Sequence, residues 1–164
     1  MVIARLLAVG LASVSLSVSS GEAGGLPTSK LVVQAMHTTW PDGSPVESGG
    51  TNYPTDIYVV DASGKQVRDL THDASTNYLI GRLPGGRILY ESVPSDGMRV
   101  ARSRIFSIDA DGSGRRQLAS GKGELWPELS PDGRGILFAR GRWLYAMRSD
   151  GTHKAIERQP SHRI

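Results

Sequence analysis

The apolar positions of the chain form short runs rich in β-branched and aromatic residues, and Gly, Pro, Asp and Ser separate these runs. Seven runs follow one another: LVVQAM (31–36), DIYVVD (56–61), YLIGRL (78–83), RILYES (87–92), RIFSID (104–109), ILFAR (136–140) and WLYAM (143–147). No stretch of useful length shows the 3.6-residue spacing of an amphipathic helix. The pattern therefore predicts an all-β fold, with turns supplied by 20 glycines and nine prolines.

The stretch SPDGRGILFAR (130–140) places a sharp bend directly before an apolar run. Pro131 fixes φ for the second position of a tight turn, Asp132 can bond its own backbone, and Gly133 accepts a left-handed conformation. The stretch therefore predicts a hairpin corner followed by an inner strand.

This corner recurs along the chain, as does a second hairpin that follows each copy. The corners are LPTSKLVVQA (26–35), LPGGRILYES (83–92, with Pro84 and Gly86) and LSPDGRGILFA (129–139). The second hairpins are DIYVVDASGKQVRDLT (56–71), RIFSIDADGSGRRQLA (104–119) and WLYAMRSDGTHKAIER (143–158), with turns at Gly64, Gly112 and Gly151. Pro84 and Pro131 are 47 residues apart. Four strands in 40 to 50 residues are typical of a propeller blade.

The repeats predict about three blades of four antiparallel strands, an open or partial β-propeller, at about 26–71, 78–119 and 124–158. Three blades leave two blade faces uncovered, because each blade buries its faces only against its neighbours. Two explanations stay open: the chain is a fragment of a longer propeller, or it associates with itself, three blades plus three making six.

At WPELSPDGRGILFAR (126–140) with LYAMRSDG (144–151), the chain resembles the TolB-type β-propeller repeat. The resemblance covers roughly 26–158, and only the third copy carries the full Ser-Pro-Asp-Gly. It implies a protein-binding scaffold, since the family includes a periplasmic protein of the Tol-Pal envelope system. The same repeat forms the gating propellers of prolyl-oligopeptidase-like serine peptidases. The alternative is therefore an N-terminal propeller fragment of such a peptidase, or of another propeller enzyme, whose catalytic part is absent here.

The N-terminus has the layout of a signal peptide: Arg5 precedes the apolar, Ser-rich run 6–18, and small residues follow at Gly21 and Ala23. We expect residues 1–23 to be cleaved and residues 24–164 to be periplasmic or secreted. The alternative is a buried N-terminal helix or strand. The run is too short and too polar for a membrane span, so we expect no stable span after cleavage. Only Gly24 and Gly25 then precede Leu26, which leaves the first blade without its innermost strand.

Charge and composition exclude several classes of function. The 19 Lys and Arg residues nearly balance 16 Asp and Glu residues, so no strong field predicts a nucleic-acid partner. The chain contains no cysteine, which excludes disulfides, thiolate zinc sites and cysteine nucleophiles.

Motifs for catalysis are missing from the sequence, so we expect no enzyme, no cofactor and no metal site. Neither His-Glu-x-x-His nor Gly-x-Ser-x-Gly occurs. The four histidines are far apart, which is typical of structural or surface residues. DADGS (109–113) resembles the start of a calcium loop but lacks the closing Glu, and its equivalents in the other repeats are hairpin turns.

The long connections are the predicted binding side of the blades. In a four-strand meander, segments 40–54 and 93–103 share one end with the blade-to-blade connections 72–77 and 119–124. Long loops on a rigid scaffold commonly carry binding. The candidate contacts to a protein or envelope component are Trp40, Tyr53, His72, Arg99 and Arg102. Alternatively, Trp40 and Tyr53 fold back and cap their own loop. The basic segment RVARSR (99–104) is alternatively a solvent-exposed edge that binds no partner.

Overall fold

A computed structural model describes residues 11–15, 30–37, 54–61, 67–94, 102–119, 121 and 123–158, and apart from a 3₁₀ residue at Arg102 the regular structure in these ranges consists of β-strands. The strands are β1 (Leu11–Ser15), β2 (Lys30–His37), β3 (Thr55–Asp61), β4 (Val67–Asp69), β5 (Thr76–Arg82), β6 (Ile88–Val93), β7 (Arg104–Ile108), β8 (Arg116–Gln117), β9 (Glu124–Leu129), β10 (Gly135–Arg140), β11 (Trp143–Arg148) and β12 (Ala155–Arg158). The predicted all-β class is confirmed.

The strands form three antiparallel meanders of four strands each, as expected for propeller blades. Blade 1 is β1–β4, blade 2 is β5–β8 and blade 3 is β9–β12. The Pro corners join the first and second strands of blades 2 and 3, as the repeat predicts. Blades 1 and 2 meet at a single parallel bridge, Thr55 opposite Thr76. The Thr55 hydroxyl reinforces it by donating to the carbonyl of Asn77 at 2.7 Å and accepting from its N–H at 2.9 Å.

The first blade differs from the expectation, because β1 occupies the place of the innermost strand. β1 pairs antiparallel with β2, from Leu11 opposite His37 to Ser15 opposite Gln34. This pairing satisfies backbone groups of β2 that would otherwise form an open sheet edge. The same five residues lie within the predicted signal peptide 1–23. Export with cleavage near Ala23 stays a prediction, and a chain cleaved there would expose this edge of β2.

Two apolar clusters hold the blades together. Ile57, Val59, Leu70, Ile88, Tyr90 and Ile108 form the cluster between blades 1 and 2. The cluster between blades 2 and 3 consists of Leu83, Leu89, Ile105, Leu118, Ala119, Ile136, Phe138 and Met147. Blade 2 therefore contributes to both clusters, because successive residues of a strand point to opposite faces.

The Pro corners and the turns before β8 and β12 share one end of the blades, here called the turn face. The Gly133 N–H donates to the Ser130 carbonyl at 2.8 Å, and Asp132 accepts from the Arg134 N–H at 3.0 Å. Gly133 is left-handed, with φ 71°. A Cβ at Gly133 would lie 3.3 Å from Cδ of Pro84, so the corners of blades 2 and 3 approach closely.

The other predicted turn glycines behave alike where they are described. Gly86, Gly112 and Gly151 have φ between 82° and 86°, and each donates its N–H to the carbonyl three residues earlier. Gly64 lies outside the described residues.

In the described part of the chain, no helix is long and apolar enough to cross a membrane.

Candidate functional site

The end of the blades opposite the turn face, here called the loop face, carries the connections between second and third strands and between blades. His72 lies there, between β4 and β5, with its side chain 88% exposed. Arg102 lies there too, exposed, two residues before β7. Trp40, Tyr53 and Arg99 fall outside the described residues. Partner contact by any of the five stays a prediction.

Asp56, at the start of β3, is the centre of a polar cluster on the loop face. Its side chain is buried. Oδ1 accepts hydrogen bonds from the Thr71 hydroxyl at 2.6 Å and from Nδ2 of Asn77 at 3.2 Å. Oδ2 lies 2.9 Å from Nε2 of His37, and that nitrogen lies 3.2 Å from the Tyr58 hydroxyl. The carboxylate is thus fixed by groups from three separate strands or connections.

Asp69, the last residue of β4, shapes the turn that presents His72. Oδ1 of Asp69 accepts the backbone N–H groups of Thr71 and His72, both at 3.1 Å. Oδ2 lies 3.2 Å from Nδ1 of His72. The turn gives His72 a φ of 32°, which is uncommon for a residue with a side chain. It holds the imidazole beside the carboxylate although the ring faces solvent.

Asp56, Asp69 and His72 can each offer one ligand atom, and these three atoms lie within 4.8 Å of one another. We call these residues, with the neighbouring His37 and Asn77, the Asp56 cluster. Carboxylate oxygen and imidazole nitrogen are common ligands of divalent metal ions. The arrangement is therefore chemically able to hold a cation.

A third carboxylate, Asp73, lies at the edge of the Asp56 cluster. Oδ1 of Asp73 accepts from Nδ2 of Asn77 at 3.1 Å, and Oδ2 lies 3.4 Å from Nη2 of Arg115. The guanidinium of Arg115 stacks 4.4 Å from the centre of the Phe106 ring, and its Nε donates to the Tyr90 hydroxyl at 2.7 Å. Arg115 is thus bound chiefly to blade 2 and pairs with Asp73 only at its tip.

The electrostatics of the Asp56 cluster reflect burial together with crowding of negative charge. Burial raises the pKa of Asp56; the hydrogen bond from Thr71 lowers it, and the charge of Asp69 raises it again. The pKa of Tyr58 is also raised, first by burial and then by the charges of Asp69 and Asp56. Both shifts have the direction expected where water is excluded and negative charge is in excess.

A second ionic group lies at the joint of blades 2 and 3 and differs from the first in its charge balance. Glu124 is fully buried. Its Oε1 pairs with Arg140, lies 3.5 Å from Nζ of Lys154 and accepts the N–H of Gly121 at 3.0 Å. Two cations therefore face one carboxylate, and both also lie over the rings of Phe138 and Tyr145. These contacts stabilise the packing of blade 3 against the segment that connects it to blade 2.

The sequence indicated His72 but not the cluster around it. His37, Asp56 and Asp69 lie in three segments that only strand pairing brings together. The available signal was a departure from the repeat: by alignment of the second hairpins, Asp56 and Asp69 correspond to Arg104 and Gln117 in blade 2. A carboxylate is therefore not required at either position to form a blade.

Comparison with known proteins yields only weak structural likeness. No protein-family model and no curated protein matches the chain. Among solved structures, an oligogalacturonate lyase in complex with manganese is similar at 14% identity with a TM-score of 0.49. The match covers 76% of this chain and 32% of the lyase chain, so this chain spans less than two thirds of that protein. At this similarity, the lyase carries no argument about the metal, substrate or activity of this chain.

Proposed function

We propose that the chain is an exported, non-catalytic β-propeller module that binds a protein or envelope component through its loop face. In this proposal, blades beyond the described three complete the propeller. The observation that carries it is the apolar side of blade 3, around Leu137, which no further blade covers among the described residues. Such a face is useful only in a larger assembly.

Blade 3 shows the uncovered face most clearly. Two stacked aromatic pairs set the correspondence between blades: Tyr90 with Phe106 in blade 2, and Phe138 with Tyr145 in blade 3. Leu137 therefore corresponds to Leu89, one position before the first aromatic residue of each pair. Leu89 is 0% exposed because blade 3 covers it, whereas Leu137 is 42% exposed. The strand presents the same apolar residue in both blades, and only the neighbour differs.

The outward side of blade 1 is exposed only in part. By strand register Leu31 corresponds to Ile88 in blade 2 and Ile136 in blade 3. The latter two are 0% and 1% exposed, whereas Leu31 is 43% exposed. Val60, opposite Leu31, and Val33 on the same side are each 4% exposed. The uncovered apolar face of the row is therefore the side of blade 3 that carries Leu137. A second copy, blade 3 against blade 1 in both directions, would close a six-blade ring.

The loop face is the better candidate for partner binding because the turn face consists of tight turns. Exposed ionic side chains at Arg102 and His72 lie on the loop face, on connections that vary between the blades. Variable connections on a rigid scaffold are where binding residues concentrate. The resemblance to the TolB-type repeat supports an envelope location, and the signal-peptide layout of residues 1–23 supports export.

Site-specific photo-crosslinking tests this assignment. A photo-reactive amino acid is placed at Arg102 on the loop face, and the matched control carries it at the exposed Arg134 of the Pro corner. Illumination of cells of the native host should yield protein adducts from position 102 and few from position 134. Equal adducts from both positions, or adducts from 134 alone, would contradict binding through the loop face.

The alternative function, a propeller fragment of a serine peptidase, makes a different prediction about the gene. The coding sequence beyond Ile164 would then encode further blades and a hydrolase domain with a Gly-x-Ser-x-Gly elbow. Further blades without such a domain would support the scaffold.

A further inference from the structure

Three carboxylates converge at the Asp56 cluster. Asp56, Asp69 and Asp73 lie there, and among the described residues the guanidinium paired with them belongs to Arg115, 3.4 Å from Asp73. Two imidazoles also contact these carboxylates: His37 lies 2.9 Å from Asp56 and His72 3.2 Å from Asp69. The Glu124 group differs, because a single carboxylate there lies between Arg140 and Lys154.

Asn77 provides a second and independent observation. The residue is 0% exposed and its carboxamide is turned toward the cluster, where Nδ2 contacts Asp56 and Asp73. Its Oδ1 is buried without a hydrogen-bond partner. An unpaired buried amide oxygen is costly, and a bound ion or water is one explanation for it. Oδ1 belongs to the same carboxamide whose Nδ2 contacts the two carboxylates, so it is a further oxygen donor at the cluster.

We propose that Asp56, Asp69 and His72 bind one divalent transition-metal cation, zinc or manganese, at the joint between blades 1 and 2. One oxygen from each carboxylate and Nδ1 of His72 supply three ligands. Nδ1 must then be deprotonated, so the imidazole is neutral and its hydrogen lies on Nε2. Three protein ligands leave positions for water or for a group of a bound partner.

The ligand types favour a transition metal over magnesium or calcium. The latter two prefer sites made only of oxygen ligands, whereas an imidazole nitrogen suits zinc and other first-row metals. The ring of His72 is exposed beside Asp69, while Asp56 is fixed by Thr71, Asn77 and His37. Binding would thus draw the exposed connection between the blades onto the buried end of β3.

The blade repeat does not require carboxylates at the positions of Asp56 and Asp69. Blade 2 is formed with Arg104 and Gln117 at the positions of Asp56 and Asp69. The proposed site therefore belongs to blade 1 and its connection. It does not depend on the proposed binding of a protein partner.

Calorimetric titration of the chelator-treated full chain with zinc chloride tests the site, followed by manganese, magnesium and calcium salts. The site variants are Asp69→Asn and His72→Ala. Their matched controls are Asp111→Asn and His153→Ala, since Asp111 is an exposed carboxylate and His153 is an exposed histidine with φ 52°. Circular dichroism checks that each variant retains its strands, and removal of the exposed His72 side chain leaves the core intact.

The expected result is one zinc bound per chain, with affinity at least about tenfold weaker in each site variant and unchanged in the controls. Bound zinc should also raise the melting temperature of the wild type more than that of His72→Ala, because a ligand of the folded state stabilises it. Absence of zinc and manganese binding overturns the proposal. So does zinc affinity in both folded site variants equal to that of the wild type. Tighter magnesium or calcium binding overturns the assigned cation class.

Discussion

Blades 2 and 3 have the same internal design but different surroundings. The rings of Tyr90 and Phe106 stack with centroids 5.6 Å apart, and those of Phe138 and Tyr145 at 5.5 Å. In both blades a basic side chain lies over this pair, Arg115 in blade 2 and Arg140 in blade 3. The opposite sides differ: that of blade 2 is buried by blade 3, whereas Leu137 on blade 3 stays largely exposed.

The comparison shows that each blade is built with two packing sides whether or not both are used. Strand residues alternate between faces, so a run such as ILFAR supplies apolar groups to both sides at once. Burial of one side is then decided by the next blade and not by the strand. The stability of blade 2 should accordingly depend on two neighbouring blades, and that of blade 3 on blade 2.

The largest expected effect is the contrast between two equivalent leucines. Leu89→Ala removes a side chain that is fully buried between blades 2 and 3 and should lower the free energy of unfolding by about 2 to 5 kcal/mol. Leu137→Ala removes a largely exposed side chain and should cost less than about 1 kcal/mol at concentrations where chains do not associate. Urea denaturation of both variants measures the difference. Equal losses would mean that the two faces are not distinct.

The next largest effect is a difference in stability between substitutions at two turn glycines, Gly112 before β8 and Gly151 before β12. Gly112 and Gly151 both have φ above 80°, but a Cβ at Gly151 would lie 2.7 Å from the Leu118 carbonyl oxygen. A Cβ at Gly112 would meet only Leu70 at 3.8 Å. We expect Gly112→Ala to cost about 1 kcal/mol and Gly151→Ala about 3 kcal/mol, from strain plus the forced shift. Thermal melting compares them, and a milder effect at 151 would contradict the close packing of blade 3 on β8.

The smallest expected effect is a pH dependence of stability caused by Glu91, which lies on the side of blade 2 that blade 3 covers. Burial raises the pKa of Glu91 above 4.5, although the Ser103 hydroxyl donates to it and opposes the shift. A raised folded-state pKa means that the wild type loses stability as pH rises from the ordinary value through the folded value. Glu91→Gln lacks this loss, so its stability relative to the wild type should increase from pH 4 to pH 7. Unfolding titrations across this range measure it.

A carboxylate on the uncovered side of blade 3 is the control for that pH effect. Ala139 occupies the position of Glu91, as judged from the register Glu91 opposite Ile105 and Ala139 opposite Leu144. Ala139→Glu should show no comparable loss of stability with rising pH, because water reaches this face. The same pH dependence at both positions would indicate that blade 3 is covered on both sides.

The sequence predicted the parts of the fold that rest on local chemistry. The corner at Pro131 and Gly133, the turns at Gly112 and Gly151, and the runs that became β10 and β11 follow from turn preferences and β-branched or aromatic content. The innermost strand of blade 1 does not follow from local chemistry in this way. Its residues have the composition of a signal peptide, and a buried N-terminal helix or strand was only the alternative. Pairing with the open edge of β2 is what makes them a strand.

The sequence predicted at which end of the blades the candidate site lies, but not which residues form it. Alternating connections place the loop face at one end, and His72 was expected there. The convergence of Asp56 and Asp69 depends on the pairing of β3 with β4, with Tyr58 opposite Asp69. Such non-local register fixes which side chains meet, and residues 13 positions apart give no periodic signal of it.

The most direct test of the central claim, that blade 3 ends the row on a face that a further blade would cover, is the mass of the full chain by light scattering over a range of concentrations. The matched variant is Leu137→Lys, which places a charge on the uncovered face of blade 3. We expect the wild type to associate, with two copies forming a six-blade ring as the ordered product, and the variant to associate less. A wild type that stays monomeric at all concentrations and melts cooperatively at high temperature would contradict it.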